Sequence, residues 1–197
     1  MPHDAAFQRR VLLALLRLLE APAGPVLADY PEEAPHTPAD EMEGVACPVS
    51  LGKGAGPDDP GAALLREIEE IAPWFDLARE RRGRTTVGAS GVPVEDCARI
   101  VGSYLNGRGG RNLNGLSAGE TLKLAYEDIR AYYFEAAAAR PGGAQAAEIL
   151  RWFWFRTAAG RAFVELQKVC LASRDESAKL FASRSLVPNV IQRELPK

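Results

Sequence analysis

The sequence predicts an all-α protein, a single-domain helical bundle of five or six helices with a long irregular N-terminal arm. Two observations carry this class. Apolar residues recur at the helical period in five separate segments. Residues 20–59 lose that period and contain seven of the fourteen prolines, which leaves room for short regular structure only. Thr85-Thr86-Val87 is the one strand candidate.

The composition fits one ordinary globular domain of 197 residues. The net charge of −2 argues against broad electrostatic binding to nucleic acid or to an acidic membrane. The three cysteines are an odd number and widely spaced, so they imply no disulfide framework. These features favour a cytoplasmic protein.

The first helix is predicted from about Ala5 to Leu19. Arg9-Arg10 before a leucine run resembles the start of an export leader, but Arg17 interrupts that run and Glu20 closes it. A core-facing amphipathic helix is therefore favoured. One face holds Phe7, Val11, Ala14, Leu15 and Leu18, with Leu12, Leu16 and Leu19 beside it.

The arm, residues 20–59, carries more apolar residues than a plain linker needs, and we expect it to wrap over the surface. A helix over 60–72 follows, with Pro60 at its first position. We expect Pro73 to end or kink it before a further piece to Arg82, and Glu67, Glu69 and Glu70 to face water. The third helix is predicted over 93–105.

Ser117 and Glu120 form a capping box that opens the fourth helix, and Pro141-Gly142-Gly143 stops it. The fifth helix is predicted as one element over about 144–172. A second capping box, 173–176, opens the sixth helix, and a tail follows over 188–197.

The fifth predicted helix contains four consecutive aromatic residues, 152–155, which would cover its whole circumference. Helical projection places Trp152 and Phe153 in the core. The same projection places Trp154 on the polar side with Arg151 and Arg161. We therefore take Trp154, Arg151 and Arg161 as the candidate partner-binding residues, with local stacking or cover by the arm as the alternative.

Catalytic and metal-binding signatures are weak. The only two histidines, His3 and His36, lack ligand spacing, so no metal site is predicted, and the cofactor is unknown. The glycine-rich stretches 51–56 and 107–111 do not fit a phosphate-binding loop. Cys97 and Cys170 lie on apolar stripes and should be buried.

Cys47 precedes Pro48 in the arm and is the candidate reactive thiol, although no positive neighbour favours its thiolate. Four arginines cluster near the end of the second helix and are candidates for docking an anion or the acidic arm: Arg79, Arg81, Arg82 and Arg84. Solvated charges at a helix C-terminus are the simpler alternative.

The leading hypothesis is a non-enzymatic helical binding or accessory protein for a protein or peptide partner or an apolar ligand, with self-association included and nucleic acid and membrane excluded. The alternative is a helical enzyme with a cofactor or substrate between its helices. The candidate catalytic residues of such an enzyme are Tyr126, Glu127, Asp128, Tyr132 and Tyr133. A DNA-binding regulator ranks third.

Overall fold

The computed structural model describes residues 5–32, 59–107, 109–110, 112–140 and 146–195. These residues contain eight α-helices and no strand, which confirms the all-α class with more helices than predicted. None of the described helices combines the length and apolar character needed to cross a bilayer. The helices are α1 (Ala5–Arg17), α2 (Pro60–Arg82), α3 (Val94–Leu105), α4 (Ala118–Ala139), α5 (Ala146–Arg156), α6 (Ala158–Ala172), α7 (Glu176–Phe181) and α8 (Asn189–Gln192).

The chain divides into two compact units, residues 1–46 and 47–197. In the first, α1 continues into a 3-10 turn, Leu18–Glu20, and residues 21–32 are irregular, as the predicted arm requires. The rest of the arm, 33–58, lies outside the described residues. That the whole chain forms one domain stays a prediction.

The second unit is built around α4, which packs against α2, α3, α5 and α7. Fourteen of its residues are buried, among them Leu122, Ile129 and Tyr133. The capping box of Ser117 and Glu120 is confirmed, with the Ser117 Oγ accepting from the Glu120 N–H at 3.3 Å. Helix α6 packs against α2, α3 and α5, so α4 and α6 share the core.

Pro73 does not end α2, which runs unbroken from Pro60 to Arg82. Pro73 itself is exposed, so the carbonyl group that it leaves without a helical partner lies on the solvent side, where water can satisfy it. The helix ends instead at Gly83, whose φ of 66° places it in the left-handed region.

The predicted fifth helix is wrong as one element, because it breaks at Thr157 into α5 and α6. Thr157 is extended at φ −103°, and its Oγ1 donates to the Phe153 carbonyl and accepts from the Gly160 N–H. A Cβ on Gly160 would lie 2.3 Å from the Phe153 carbonyl oxygen. Glycine at 160 therefore permits the tight turn between the helices.

Glu67 was expected in water but is buried, with 8% of its surface exposed. Its Oε2 accepts from the Tyr133 hydroxyl at 2.8 Å and from the N–H groups of Ala158 and Ala159 at 2.6 and 3.3 Å. A carboxylate of α2 therefore caps the first turn of α6, where the helix dipole favours negative charge. Burial raises the pKa of Glu67, although these hydrogen bonds oppose the rise.

Residues 85–87 are not a strand but part of a loop held by α4. Glu135 accepts hydrogen bonds from the Thr85 hydroxyl and from the N–H and hydroxyl of Thr86, at 2.7 to 2.8 Å. Asp128, two turns earlier, accepts from the N–H groups of residues 88–90 and from the Ser90 hydroxyl. The Glu135 and Asp128 side chains therefore accept hydrogen bonds from backbone N–H groups that a strand would pair with a neighbouring strand.

The C-terminal elements also differ from prediction. Asp175 caps α7 by accepting from the Ala178 N–H, whereas Ser173 ends α6. Helix α7 continues as a π-helical turn, Ala182–Leu186. The predicted tail contains α8, and Ile191 of that helix is only 1% exposed, so the chain remains part of the core there.

Candidate functional site

The structure reverses the expected roles of the two tryptophans. Trp154 is 2% exposed and packs against the rings of Phe153 and Phe163, at centroid distances of 5.2 and 6.4 Å. Trp152 is partly exposed, with the Arg140 guanidinium 4.6 Å from its ring centroid. The helical projection assumed one continuous helix with 100° between successive residues. The break at Thr157 ends that regular spacing, so residues 151–156 and 158–166 cannot be placed on one helical wheel.

The three candidate partner-binding residues therefore form no common exposed surface in this structure. Arg151 is exposed on α5 and pairs with Glu194 at 2.6 Å. Arg161 is exposed on α6, across the break from Arg151. A partner would need to reach an indole that lies in the core, so Trp154 loses the exposure on which its assignment rested.

The arginine cluster at the end of α2 is exposed at all four positions. Arg81 donates to the Ala139 carbonyl at 3.3 Å, where a cation suits the C-terminal end of α4. Arg82 lines a groove beside α4. Arg79, Arg81 and Arg84 do not line that groove, and docking of an anion or of the acidic arm by the whole cluster stays a prediction.

Two of the three cysteines are confirmed as core residues. Cys97 and Cys170 are 0% and 1% exposed, and burial raises the pKa of each thiol to about 11. Such thiols have little thiolate at neutral pH. Cys47 lies outside the described residues, and its reactivity stays a prediction.

The tyrosines suspected for an enzyme are core residues. Tyr132 donates to the Ile68 carbonyl at 3.2 Å, and Tyr133 donates to Glu67. Burial raises the pKa of both hydroxyls. Tyr126 is 3% exposed, and Asp128 is fully buried and occupied by the loop, so only Glu127 of the five suspects reaches the surface.

Residues 5–32 carry an exposed face of leucines on α1 and on the 3-10 turn that follows it. Within residues 5–32 no residue of α1 is buried, so these residues do not supply the core that the predicted core-facing helix requires. At about 100° per residue, four leucines fall within an arc of about 100°. They are Leu12, Leu15, Leu16 and Leu19, with exposed fractions of 58%, 59%, 56% and 82%. We call these four residues the leucine face.

The neighbouring stripe of α1 is partly covered. Phe7, Val11, Ala14 and Leu18 are half-buried, and the rings of Phe7 and Tyr30 meet edge-to-face at 6.1 Å. Arg10 binds the Glu32 carboxylate through two nitrogens at 2.7 to 3.1 Å, and the Tyr30 hydroxyl binds it at 2.9 Å. These contacts return residues 30–32 to α1, and residues 5–32 leave the leucine face uncovered.

The charges around α1 are balanced. Residues 5–32 contain three arginines, Arg9, Arg10 and Arg17, and three carboxylates, Glu20, Asp29 and Glu32, so their net charge is zero. Hydrogen bonds from Arg10 lower the pKa of Glu32. Arg9 is exposed and projects at the edge of the leucine face, about 20° from Leu16 on the helical wheel.

No protein-family model, curated protein or solved structure shows significant similarity to this chain.

The spacing of the leucine face is that of a helix bound in a groove. Leu12, Leu15, Leu16 and Leu19 stand at positions i, i+3, i+4 and i+7, the anchor pattern of amphipathic helices that lie in an apolar groove of a partner. The sequence contained this signal. Periodicity identifies the residues that share a face, but it does not show whether the same chain covers that face.

Proposed function

We propose that this protein is a non-enzymatic binding protein that inserts the leucine face of α1 into an apolar groove of a partner protein. The observation that carries the proposal is the exposure of Leu12, Leu15 and Leu16 on α1, which has no buried residue among the described residues, and of Leu19 on the 3-10 turn that continues it. Contiguous exposed apolar surface on a folded protein is typical of an interaction site. A cytoplasmic location is part of the proposal, because free buried thiols suit a reducing compartment.

A protein groove fits the leucine face better than a membrane surface does. Helices that bind anionic membranes carry an excess of basic residues on their polar face. Here the net charge of residues 5–32 is zero, and Arg10 is paired with Glu32. The exposed Arg9 at the edge of the face favours a groove with a carboxylate on its rim.

Self-association through α1 is also less suitable. A coiled coil needs apolar heptads sustained over about three to four repeats. Helix α1 has 13 residues, which is fewer than two heptads. Two parallel copies packed through this face would also bring the Arg9 side chains at its edge near each other, with unfavourable repulsion.

Site-specific photo-crosslinking in cells tests the proposal. A photoreactive phenylalanine analogue at Leu15 or Leu19 should yield a discrete protein adduct, and the same group at Leu13, which projects about 110° from the centre of the leucine face, should not. The adduct protein, identified by mass spectrometry and purified, should bind the unmodified chain in stoichiometric amounts. The double variant Leu15→Gln/Leu19→Gln should weaken that binding by about thirtyfold, and Leu13→Gln should leave it unchanged.

Three results would overturn the proposal. The first is equal crosslinking at Leu13 and Leu15. The second is a crosslink only to a second copy of this chain. The third is co-sedimentation with phosphatidylserine-containing vesicles that the double variant abolishes, which would assign the leucine face to a membrane.

A further inference from the structure

A groove of about 490 Å³ lies on the 47–197 unit, between α4 and the end of α2 with its following loop. Glu127, Arg130, Ala131 and Phe134 contribute one wall, because their i, i+3, i+4 and i+7 spacing places them on one face of α4. Arg82 and Thr86 line the opposite side. The volume is in the range of small-molecule sites.

The loop wall of this groove is fixed by buried carboxylates. Glu135 is 4% exposed and holds Thr85 and Thr86, and the fully buried Asp128 holds residues 88–90. Burial acts to raise the pKa of Asp128, but the hydrogen bonds from Ser90, Gly88 and Ala89 outweigh it and lower the pKa. The carboxylate therefore stays charged, and the groove is formed before a ligand arrives.

The two carboxylates that line the groove have partners of their own. Glu135 accepts three hydrogen bonds from Thr85 and Thr86 at 2.7 to 2.8 Å. Glu127 lies 3.8 Å from the Lys123 ammonium on the same helix. Neither carboxylate pairs with an arginine of the groove within the described ranges.

The two arginines of the groove have no carboxylate partner among the described residues. Arg82 is exposed and forms no ion pair there. Arg130 is exposed and makes only a long 3.3 Å hydrogen bond to the Tyr126 hydroxyl, with its guanidinium 5.5 Å from the Phe134 ring centroid. Two guanidinium groups at one groove are a typical arrangement for an anion.

We propose that this groove binds a small organic anion, with its carboxylate or phosphate between Arg82 and Arg130 and its apolar body against Phe134 and Ala131. Guanidinium forks suit both anionic groups. The half-buried Phe134 ring supplies apolar surface beside the charges. This site is independent of the leucine face of α1.

Four small aromatic probes test the proposal with the full chain: phenylacetate, phenyl phosphate, phenylacetamide and phenethylamine. Titrations followed by protein-observed NMR should show saturable binding of one or both anions, with shifts at residues 82–90 and 127–134. The comparison of phenylacetate with phenyl phosphate distinguishes a carboxylate from a phosphate ligand. The neutral amide and the amine should bind at least about tenfold more weakly.

Variants separate the site from general charge effects. Arg82→Gln and Arg130→Gln should each weaken anion binding by about tenfold, and Arg99→Gln on α3 should leave it unchanged. The exposed Arg82 side chain forms no hydrogen bond or ion pair with the described residues, so its variant stays informative if Arg130→Gln unfolds. Equal binding of amide and anion, an equal loss with Arg99→Gln, or the absence of saturable binding would overturn the proposal.

Discussion

The Glu67 carboxylate lies 2.6 Å from the backbone nitrogen of Ala158, so a side chain of α2 closes the N-terminus of α6 from 91 residues away in sequence. The same oxygen accepts the Tyr133 hydroxyl, which connects α2, α4 and α6 at one atom. A buried acceptor with several donors is costly to remove, because each donor loses its partner without gaining water.

Glu67→Ala should lower the free energy of unfolding by about 3 kcal/mol, measured by urea denaturation, because it strands the Tyr133 hydroxyl and two backbone N–H groups. Glu67→Gln retains an acceptor oxygen and should cost less. Glu69→Ala, on the exposed side of α2, should stay within about 0.5 kcal/mol of the wild type. A Glu67→Ala protein as stable as that control would contradict the capping role.

The spacing of Glu67 along α2 was enough to predict that it is buried. It lies three residues after Leu64 and four before Ile71, both fully buried, and therefore on the buried side of α2. We expected Glu67 to be exposed only because its side chain is charged. The break at Thr157 and the exposure of α1 are different cases, because both depend on which distant residues pack nearby. Periodicity carries no information about such contacts.

The groove between α4 and the end of α2 could not be predicted from periodicity either. Arg82 was a candidate from its cluster, but Arg130 lies 48 residues further along and was not singled out. Only the packing of α4 beside the end of α2 brings the two together. The all-α class, the capping box and the buried cysteines depend on local patterns, and these were predicted correctly.

Trp154→Ala should destabilise the protein by about 3–5 kcal/mol, because it empties a buried site between Phe153 and Phe163. Trp152→Ala should cost less, since that ring is partly exposed. Thermal and urea denaturation of the two variants, measured side by side, provide the comparison. A larger loss of stability for Trp152→Ala than for Trp154→Ala would contradict this structure and agree with one continuous helix, in which Trp152 is the core residue.

Gly160→Ala should destabilise the protein by about 2 kcal/mol or more, although alanine is the better helix former by about 1 kcal/mol. The added Cβ would lie 2.3 Å from the Phe153 carbonyl oxygen and 2.6 Å from that of Trp154, and both are backbone atoms with little freedom to move. Ala138→Gly at an exposed position of α4 measures the intrinsic helix effect alone. Stabilisation by Gly160→Ala would mean that α5 and α6 are further apart.

The Asp128 contacts predict a pH dependence with a definite sign. The folded-state pKa is lowered, so the stabilisation is present above the usual aspartate pKa of about 3.9 and is lost as the pH falls through the lower folded value. Asp128→Asn should be less stable by about 2 kcal/mol at pH 7. The difference from the wild type should shrink as unfolding is measured at successively lower pH.

Asp76→Asn, at an exposed position of α2, controls for the loss of one negative charge. A stability difference between wild type and Asp128→Asn that stays constant down to pH 2 would show that Asp128 does not titrate between the folded and unfolded states as its hydrogen bonds require.

A thiol reagent at neutral pH should leave Cys97 and Cys170 unmodified in the folded protein, because both thiols are buried and have a raised pKa of about 11. Mass spectrometry should find one modified site, Cys47, before unfolding and three afterwards. Rapid modification of Cys170 in the native state would show that the C-terminal end of α6 opens readily.

The open leucine face has a consequence for how this chain changes over time. Among the described residues no core residue precedes Leu64, and α1 buries none of its own side chains there. Substitutions at Leu12, Leu15, Leu16 and Leu19 can therefore accumulate without a penalty in folding. Selection on these positions acts through what they bind, so a related chain with the same body and a rewritten first helix would have acquired a different partner.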